Sequence, residues 1–235
     1  MKNNVAIILA RGGSKGIPKK NIMNFCGKPL VAWSIEQAKT AYGISSVWIS
    51  SDSNDILDVA KKYGAKTLLR PKALSKDTSS TELGYLHALK EIEKNDQKVD
   101  AIVALQATSP IRESSDIEKG IKEFEKLKCD SLFSGALIGD FLIWERVNQG
   151  KLRSINYNYQ KRPRRQKFSE QFVENGSFYI FKPEILKKYN NRLGGKIGIA
   201  KMEFWKSFEL DEKEDIELCE LIMKHYLLKK RKNKK

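Results

Sequence analysis

The chain has 235 residues, 40% of them apolar and 31% charged, a composition that excludes a disordered polymer and suits one large α/β domain with or without an insertion. No apolar run is long enough to span a bilayer, and Arg11 interrupts the N-terminal run, so we expect neither membrane insertion nor a signal peptide. Three dispersed cysteines are typical of reduced thiols, which predicts a cytoplasmic protein.

The net charge of +15 indicates an anionic partner without identifying its class. Basic segments occur at 161–167 and in the tail 229–235, and the tail is typical of a solvated helix end. A nucleic-acid-binding protein is one alternative. That alternative predicts aromatic residues interleaved with cations. Here the aromatic residues mostly occupy strand and helix positions, so we expect no nucleic-acid partner.

Apolar runs alternate with helical patterns along the first two thirds of the chain. Strands are predicted at 5–10, 45–52, 65–70, 100–106 and 130–137. Helices are predicted between them, and Ser115 with Glu118 fits a capping box at the start of the fourth. This order predicts a doubly wound, mostly parallel sheet of the Rossmann-like α/β class. Ligands bind beyond the carboxyl ends of the strands in such sheets, where four polar or basic loops should converge.

The alternation stops between residues 139 and 175, where we predict an inserted β-hairpin or small β-rich subdomain. A strand at 176–181, a helix at 182–189 and a strand at 196–204 follow, and the last helix should begin near Asp211. We therefore assign residues 1–138 and 176–228 to the α/β domain and residues 229–235 to a basic tail.

The loop after the first strand reads ARGGSKGIPKKN over residues 10–21. It satisfies neither the P-loop pattern nor the G-x-G-x-x-G fingerprint. Its glycines allow backbone N–H groups to approach phosphate oxygens closely, and its cations could neutralise a triphosphate. These cations are Arg11, Lys15, Lys19 and Lys20. A solvated basic turn is the alternative interpretation.

This loop resembles the pattern A-R-x-G-S-K-x-[IL]-x-x-K-N of the acylneuraminate cytidylyltransferases, which make CMP-sialic acids. Four later blocks also resemble that family, in the same order along the chain. They are LLRP with LSKDTSS, LQATSPIR, RRQ with ENGSFYIF, and FELDEKEDIELCE. The resemblance covers nearly the whole chain and implies the family's nucleotidyltransferase fold.

The resemblance also implies a CTP site. Arg11 and Lys20 would contact the phosphates as catalytic residues, and Asn21 would hold the ribose. Arg70 would contact the edge of the cytosine. The remaining nucleotide-binding residues would be Gly13, Ser14, Lys15, Asp77, Ser79 and Ser80.

A sialic-type sugar acid would occupy the adjoining pocket. Gln106 would orient the acid, while Asn175 and Tyr179 would line the pocket. Arg164 and Arg165 would hold its carboxylate or hydroxyl groups, and the inserted subdomain would make a homodimer that lends basic residues to the partner's site. The resemblance leaves open whether the acid is N-acetylneuraminate, legionaminate, pseudaminate or a relative.

Asp211, with Glu209, is the predicted ligand set for Mg²⁺, or alternatively Mn²⁺, and Asp211 counts as catalytic. An N-cap with Glu214 completing a capping box is the competing and compatible interpretation of Asp211. The chain departs from the family at Glu209, where an Asp is usual, at Ala107, where Pro is usual, and at Lys167, where Asp is common.

The reaction implied is attack of the sugar's anomeric hydroxyl on the α-phosphorus of CTP with release of pyrophosphate. A CMP-Kdo synthetase, or another sugar nucleotidyltransferase, is the nearest alternative. The K-N pair at Lys20–Asn21 and the RRQ block argue against that alternative.

Overall fold

The computed structural model describes residues 2–14, 16–94, 98–139 and 141–229, and the backbone but not the side chain of Arg165. Lys15 and tail residues 230–235 lie outside the described residues. The strands are β1 (Asn4–Leu9), β2 (Asn24–Phe25), β3 (Lys28–Pro29), β4 (Ser46–Ser51), β5 (Lys66–Leu69), β6 (Ala101–Leu105), β7 (Ser131–Leu137), β8 (Trp144–Arg146), β9 (Leu152–Ser154), β10 (Phe172–Phe181) and β11 (Ile197–Met202). The helices are α1 (Leu30–Thr40), α2 (Asn54–Lys62), α3 (Thr81–Glu93), α4 (Ser114–Lys126), α5 (Pro183–Tyr189) and α6 (Lys213–Ile222), and π-helical turns over Met223–Leu228 extend α6.

Seven strands form the central sheet in the order β11–β7–β10–β6–β1–β4–β5. Strand β10 is antiparallel to both of its neighbours, and the other pairs are parallel. The predicted doubly wound, mostly parallel sheet is therefore confirmed. Strands β1 and β6 lie side by side near its centre, so the loops that follow them share one edge.

Helices cover both faces of this sheet, and β1 shows why its sequence is apolar throughout. Ala6 and Ile8 pack on the face covered by α1, α2 and α4. Val5 and Ile7 pack on the face covered by α3. A strand buried on both faces needs apolar side chains at every position, which explains the continuous run.

The segment predicted as an insertion contains a hairpin, in which β8 pairs antiparallel with β9 outside the main sheet. Strand β10 begins at Phe172, inside the predicted insertion, and its pairing with β7 is irregular between Glu174 and Tyr179. The division into domains stays a prediction.

Both predicted capping boxes were wrong by one or two positions. Helix α4 starts with a box between Glu113 and Asp116, and α6 with a box between Glu212 and Asp215. Tertiary contacts explain the shift at α4, because Lys206 bonds to both carboxylates of that box.

Among the helices of the described residues, none combines the length and apolarity needed to cross a lipid bilayer.

A buried ion pair fixes the start of α4 against the turn at Phe204–Ser207. The Lys206 ammonium lies 2.8 Å from both carboxylate oxygens of Asp116, and both side chains are almost completely buried. Glu203 and Glu113 complete its coordination at 3.0 and 3.2 Å. Burial opposes the charge of Lys206, but Asp116 and Glu203 outweigh it and raise the pKa of the ammonium.

We expect Lys206→Met to lower the free energy of unfolding by about 3–5 kcal/mol, because it leaves the buried Asp116 carboxylate without its cation. Urea unfolding of the two proteins measures the difference. The double variant Lys206→Met with Asp116→Asn should recover part of the loss, since it removes the unpaired charge. A single variant as stable as the parent would contradict this account of the pair.

Candidate functional site

A cleft of about 680 Å³ opens at the carboxyl ends of β1, β5 and β6 and beside the start of α3. Ten of the predicted site residues line it. They are Arg11, Ser14, Lys20, Asn21, Arg70, Asp77, Ser79, Ser80, Gln106 and Asp211. Among the described residues that line the cleft, five side chains are cationic and three are acidic, so the cleft suits an anionic ligand.

Hydrogen bonds from neighbouring segments hold the loop that follows β1. The backbone N–H of Gly12 donates to Oδ1 of Asp52 at 2.9 Å. The side-chain amide of Asn21 donates to the carbonyl oxygen of Arg11 at 2.9 Å, so Asn21 closes the loop on itself. Asn21 is buried but still borders the cleft.

The same loop packs against the segment that precedes α6. Nζ of Lys20 donates to the carbonyl oxygens of Leu210 and Asp211 at 2.8 and 3.2 Å and lies 3.2 Å from Oδ1 of Asp211. Any side chain at Gly16 would meet the Asp211 carbonyl oxygen, which lies 2.5 Å from the position of a Cβ. Glycine at position 16 and a buried lysine at position 20 therefore allow two distant parts of the chain to meet.

Arg11 lines the cleft and forms a partly exposed ion pair. Its Nη1 lies 2.5 Å from Oδ1 of Asp77, and both side chains remain partly exposed. A phosphate entering here would compete with the Asp77 carboxylate for the guanidinium, because arginine suits either oxyanion.

Arg70 is buried, and its Nε donates to Oγ of Ser75 at 2.9 Å. Burial lowers its pKa, although the charge of Asp52 opposes the shift. Helix α3 passes close to it, since a Cβ at Gly84 would lie 3.2 Å from Nη1 of Arg70 and 2.8 Å from the Leu9 side chain. The buried guanidinium thus offers fixed donors in the wall of the cleft.

Gln106 lies beside Gly176 and Glu209. A Cβ at Gly176 would be 3.1 Å from Nε2 of Gln106 and 3.5 Å from Oε2 of Glu209, and the positive φ of 65° at this position also favours glycine. The resemblance block around ENGSFYIF contains this glycine. Glycine at this position allows the Gln106 and Glu209 side chains to lie close to the backbone.

Hydrogen bonds from Arg112 hold the backbone around Gln106 in place. It is fully buried and donates to the carbonyl oxygens of Gln106, Ser109 and Ser177 at 3.1, 3.0 and 2.6 Å. Burial lowers its pKa to about 9, with Asp116 opposing the shift. Sequence reasoning included Arg112 in the LQATSPIR block without giving it this role.

Glu209 and Asp211 form an acidic pair, of which Asp211 lines the cleft and Glu209 does not. Burial raises the pKa of Glu209, and the charge of Asp211 and a hydrogen bond to it raise that pKa further. Ser109 opposes the shift by donating its hydroxyl to Oε2 of Glu209 at 3.3 Å. The described residues contain no group of three or more His, Cys, Asp or Glu side chains that could hold a metal. Two carboxylates nevertheless fit Mg²⁺, which takes only one or two from a protein beside phosphate oxygens.

Other predicted residues do not line the cleft. Gly13 is exposed, and so is Arg164 in the inserted segment. Asn175 is buried and accepts hydrogen bonds from Oγ of Ser134 and the backbone N–H of Ser177, so it holds the irregular part of β10. Tyr179 is buried and donates its phenol hydrogen to Glu174. Lys15 and the Arg165 side chain lie outside what the structure describes, and all of these roles stay predictions.

Sequence reasoning missed several side chains that border the cleft, among them Tyr85 on α3 and Arg192 after α5. Tyr85 lies in the predicted helix that follows Ser80, which was a usable signal. Arg192 lies in a loop outside every resemblance block, so nothing in the sequence pointed to it.

Comparisons with known proteins identify the family of this chain. The cytidylyltransferase family model matches residues 5–233. The N-acylneuraminate cytidylyltransferase A of Danio rerio is 39% identical over 78% of this chain and 42% of its own length. A pseudaminic acid cytidylyltransferase of Campylobacter jejuni is 39% identical over 56% of this chain and 57% of its own length. The post-translational flagellin modification protein B of Campylobacter coli is 30% identical over 95% of this chain and 96% of its own length.

The chain spans about half or less of the length of the first curated relatives that it matches. Among solved structures, a CMP:2-keto-3-deoxy-manno-octonic acid synthetase complexed with CTP superposes with a TM-score of 0.71, at 15% identity over 96% of this chain and all of that one. A 4-diphosphocytidyl-2C-methyl-D-erythritol synthase from Anaerococcus prevotii gives 0.68, at 13% identity over 95% of this chain and 99% of that one. These two likenesses concern the fold. The expected basic loop lies at the edge of the sheet where the cleft opens. The family match over nearly the whole chain shows that this chain belongs to the cytidylyltransferase family.

Proposed function

We propose that this chain activates a sialic-type nonulosonic acid with CTP and releases pyrophosphate. The observation that carries the proposal is the cleft itself, in which Arg11, Lys20 and Arg70 surround a space large enough for a nucleotide and a sugar acid. Two relatives support the substrate class, since one is named for N-acylneuraminate and another for pseudaminic acid.

The reaction forms a bond between the anomeric oxygen of the sugar and the α-phosphorus of CTP. The bond from that phosphorus to the bridging oxygen breaks, pyrophosphate leaves, and the hydroxyl proton is released. Catalysis of this kind depends on positioning and on neutralising charge. Arg11 and Lys20 would supply positive charge from opposite sides of the phosphates, with Arg11 leaving Asp77 to do so.

Asp211 and Glu209 would hold Mg²⁺, with Mn²⁺ as an alternative. The bound cation would neutralise charge on the triphosphate. Lys20 keeps Asp211 beside the phosphate loop through its bonds to the backbone and carboxylate of that residue. Glu209 is longer than the aspartate usual in the family, and its carboxylate accepts a hydrogen bond from the Ser109 hydroxyl beside Asp211.

Pyrophosphate release tests the function directly. The purified chain is supplied with CTP, ATP, GTP or UTP and with a panel containing N-acetylneuraminate, legionaminate, pseudaminate and Kdo. We expect release with CTP and one of the first three acids. Release with Kdo alone would favour the CMP-Kdo synthetase alternative, and no release with any acid would overturn the proposal.

The inserted segment would join two copies of the chain. Its side chains Phe141, Leu152, Ile155 and Tyr159 are all more than half exposed, which is unusual for such apolar groups grouped in one segment. Arg164 lies in the same segment and is exposed away from its own cleft, so it would be available to a partner's site.

A cytoplasmic location stays a prediction.

We expect Asp211→Asn to abolish most turnover because it removes the carboxylate charge that Mg²⁺ needs, and added metal should not restore it. Initial rates of pyrophosphate release across a Mg²⁺ titration measure this. Glu214→Gln is the matched control, since Glu214 is an exposed acid in the first turn of the same helix. Normal turnover in Asp211→Asn would remove this residue from the site.

We expect Arg11→Ala to raise the KM for CTP by roughly 10- to 100-fold, since a hydrogen bond to a charged group contributes about 1.5–3 kcal/mol. Saturation curves at fixed sugar acid measure the change. Lys19→Asn removes a cation of the same loop that does not line the cleft, and asparagine tolerates the left-handed backbone at that position. If both variants keep the parental KM, Arg11 does not contact the phosphates.

We expect the protein to have twice the chain mass in solution, and Ile155→Asp to shift it toward the mass of one chain, because a buried charge at the interface is costly. Size-exclusion chromatography with light scattering measures both. Leu221→Asp places the same charge at another exposed apolar position, on α6, and should leave the mass unchanged. A parent protein with the mass of a single chain would contradict the homodimer.

A further inference from the structure

Arg192 borders the cleft but lies in the loop between α5 and β11, far along the chain from the nucleotide-binding segments. Its side chain is only 19% exposed. A cation buried to this degree in the wall of a ligand site needs an explanation, because desolvating a charge is costly unless nearby groups compensate it.

The backbone of this loop is firmly anchored to the start of β7. Oγ of Ser131 donates to the carbonyl oxygen of Gly194 at 2.7 Å and accepts from its N–H at 3.0 Å. The N–H of Lys196 donates to Oδ2 of Asp130 at 2.9 Å. Arg192 is therefore mounted on a fixed segment, so its guanidinium occupies a defined position in the cleft wall.

Three side chains hold the guanidinium itself. Nε and Nη2 lie 3.0 and 2.9 Å from Oε1 of Glu82. The guanidinium carbon lies 4.7 Å from the ring centroid of Tyr179 and 5.9 Å from that of Tyr85. An arginine has five N–H donors, and the Glu82 contacts use the Nε side. Nη1 donates no hydrogen bond to an acceptor within the described residues, so its donors remain for a ligand.

The contact with Tyr179 places Arg192 against the part of the cleft that β6 and β10 support. The phosphate loop follows β1 and Arg70 follows β5, on one side of the sheet order. Gln106 follows β6, and Tyr179 lies on β10, opposite Ala104 of β6. Because Arg192 stacks on Tyr179, it lies against the β6–β10 half, which the proposed function gives to the sugar acid, while Glu82 and Tyr85 connect it to α3.

We propose that Arg192 is a specificity-determining residue for the sugar acid, donating from Nη1 to an uncharged oxygen of the substrate, either a hydroxyl or an acylamino carbonyl. This assignment rests on the proposed function. Glu82 already balances the guanidinium charge, and a substrate carboxylate placed here would meet the carboxylate of Glu82 as well. Tyr179 is then a positioning residue that acts through Arg192, which explains its burial outside the cleft wall.

The test compares kcat/KM for the sugar acid with the KM for CTP, using the acid of the panel that the parent protein turns over fastest. Arg192→Ala should lower kcat/KM for the acid by about 10- to 100-fold, the value of one charge-assisted hydrogen bond, and leave the KM for CTP unchanged. Tyr179→Phe keeps the aromatic ring and should lower kcat/KM for the acid less than Tyr179→Leu, which removes the ring.

Lys187→Ala is the matched control. It breaks another ion pair between α5 and α3, with Glu93 at 3.0 Å, but does not border the cleft. Its kinetics should equal those of the parent. Thermal unfolding followed by circular dichroism confirms that each variant is folded. If Arg192→Ala is unfolded, Arg192→Lys replaces it, because lysine keeps the aliphatic stem and the charge but loses the planar donor fork.

Glu82→Gln separates an uncharged oxygen from a carboxylate as the ligand. Removing the Glu82 charge would strengthen binding of a carboxylate, so a lower KM for the sugar acid overturns the proposal, whereas an equal or higher KM supports it. An unchanged sugar response in folded Arg192 variants, or a change in the CTP response alone, overturns it too. A parent protein that releases no pyrophosphate with any acid overturns the proposed function, and this assignment with it.

Discussion

The contact between Lys20 and the segment at 210–211 is the interaction on which the cleft depends. One ammonium bonds to two backbone carbonyl oxygens and a carboxylate from a part of the chain nearly two hundred residues away. A buried cation of this kind needs several acceptors to offset its lost hydration. Those acceptors bring Asp211 and Glu209 to the loop that follows β1, so the basic and acidic sides of the site form together.

Three cations of the cleft have a counter-charge before any ligand arrives. Arg11 pairs with Asp77, Arg192 with Glu82, and Lys20 with Asp211. These pairs differ in solvent exposure, and the exposure determines how easily a ligand can replace the protein carboxylate. The Arg11 pair is open to solvent and can be replaced by phosphate, whereas the Arg192 pair is largely buried and persists as part of the wall. Exposed ion pairs contribute little stability, so losing one on binding costs little.

Some features of the fold follow from local sequence patterns, and others depend on tertiary contacts. The apolar run of β1 and the alternation of strands with helices predicted a buried parallel sheet, because a strand covered by helices on both faces needs apolar side chains throughout. The starts of α4 and α6 were placed wrongly, since Lys206 stabilises Glu113 and Asp116 at one helix and Lys20 engages Asp211 near the other. Capping preferences are worth about 1 kcal/mol, so a buried ion pair can override them. The antiparallel direction of β10 had no local signal.

The sequence by itself determined the layered α/β architecture and the chemistry of the β1 loop, because periodicity, glycines and clustered cations are local properties. It also identified ten of the residues that border the cleft, through resemblance blocks that follow β1, β5 and β6 or precede α6. Only the tertiary structure decided that Tyr179 and Asn175 lie behind the cleft wall and that Arg192 forms part of it. Side-chain direction at an irregular strand, and the meeting of a loop after α5 with the start of α3, depend on packing between segments that no local pattern encodes.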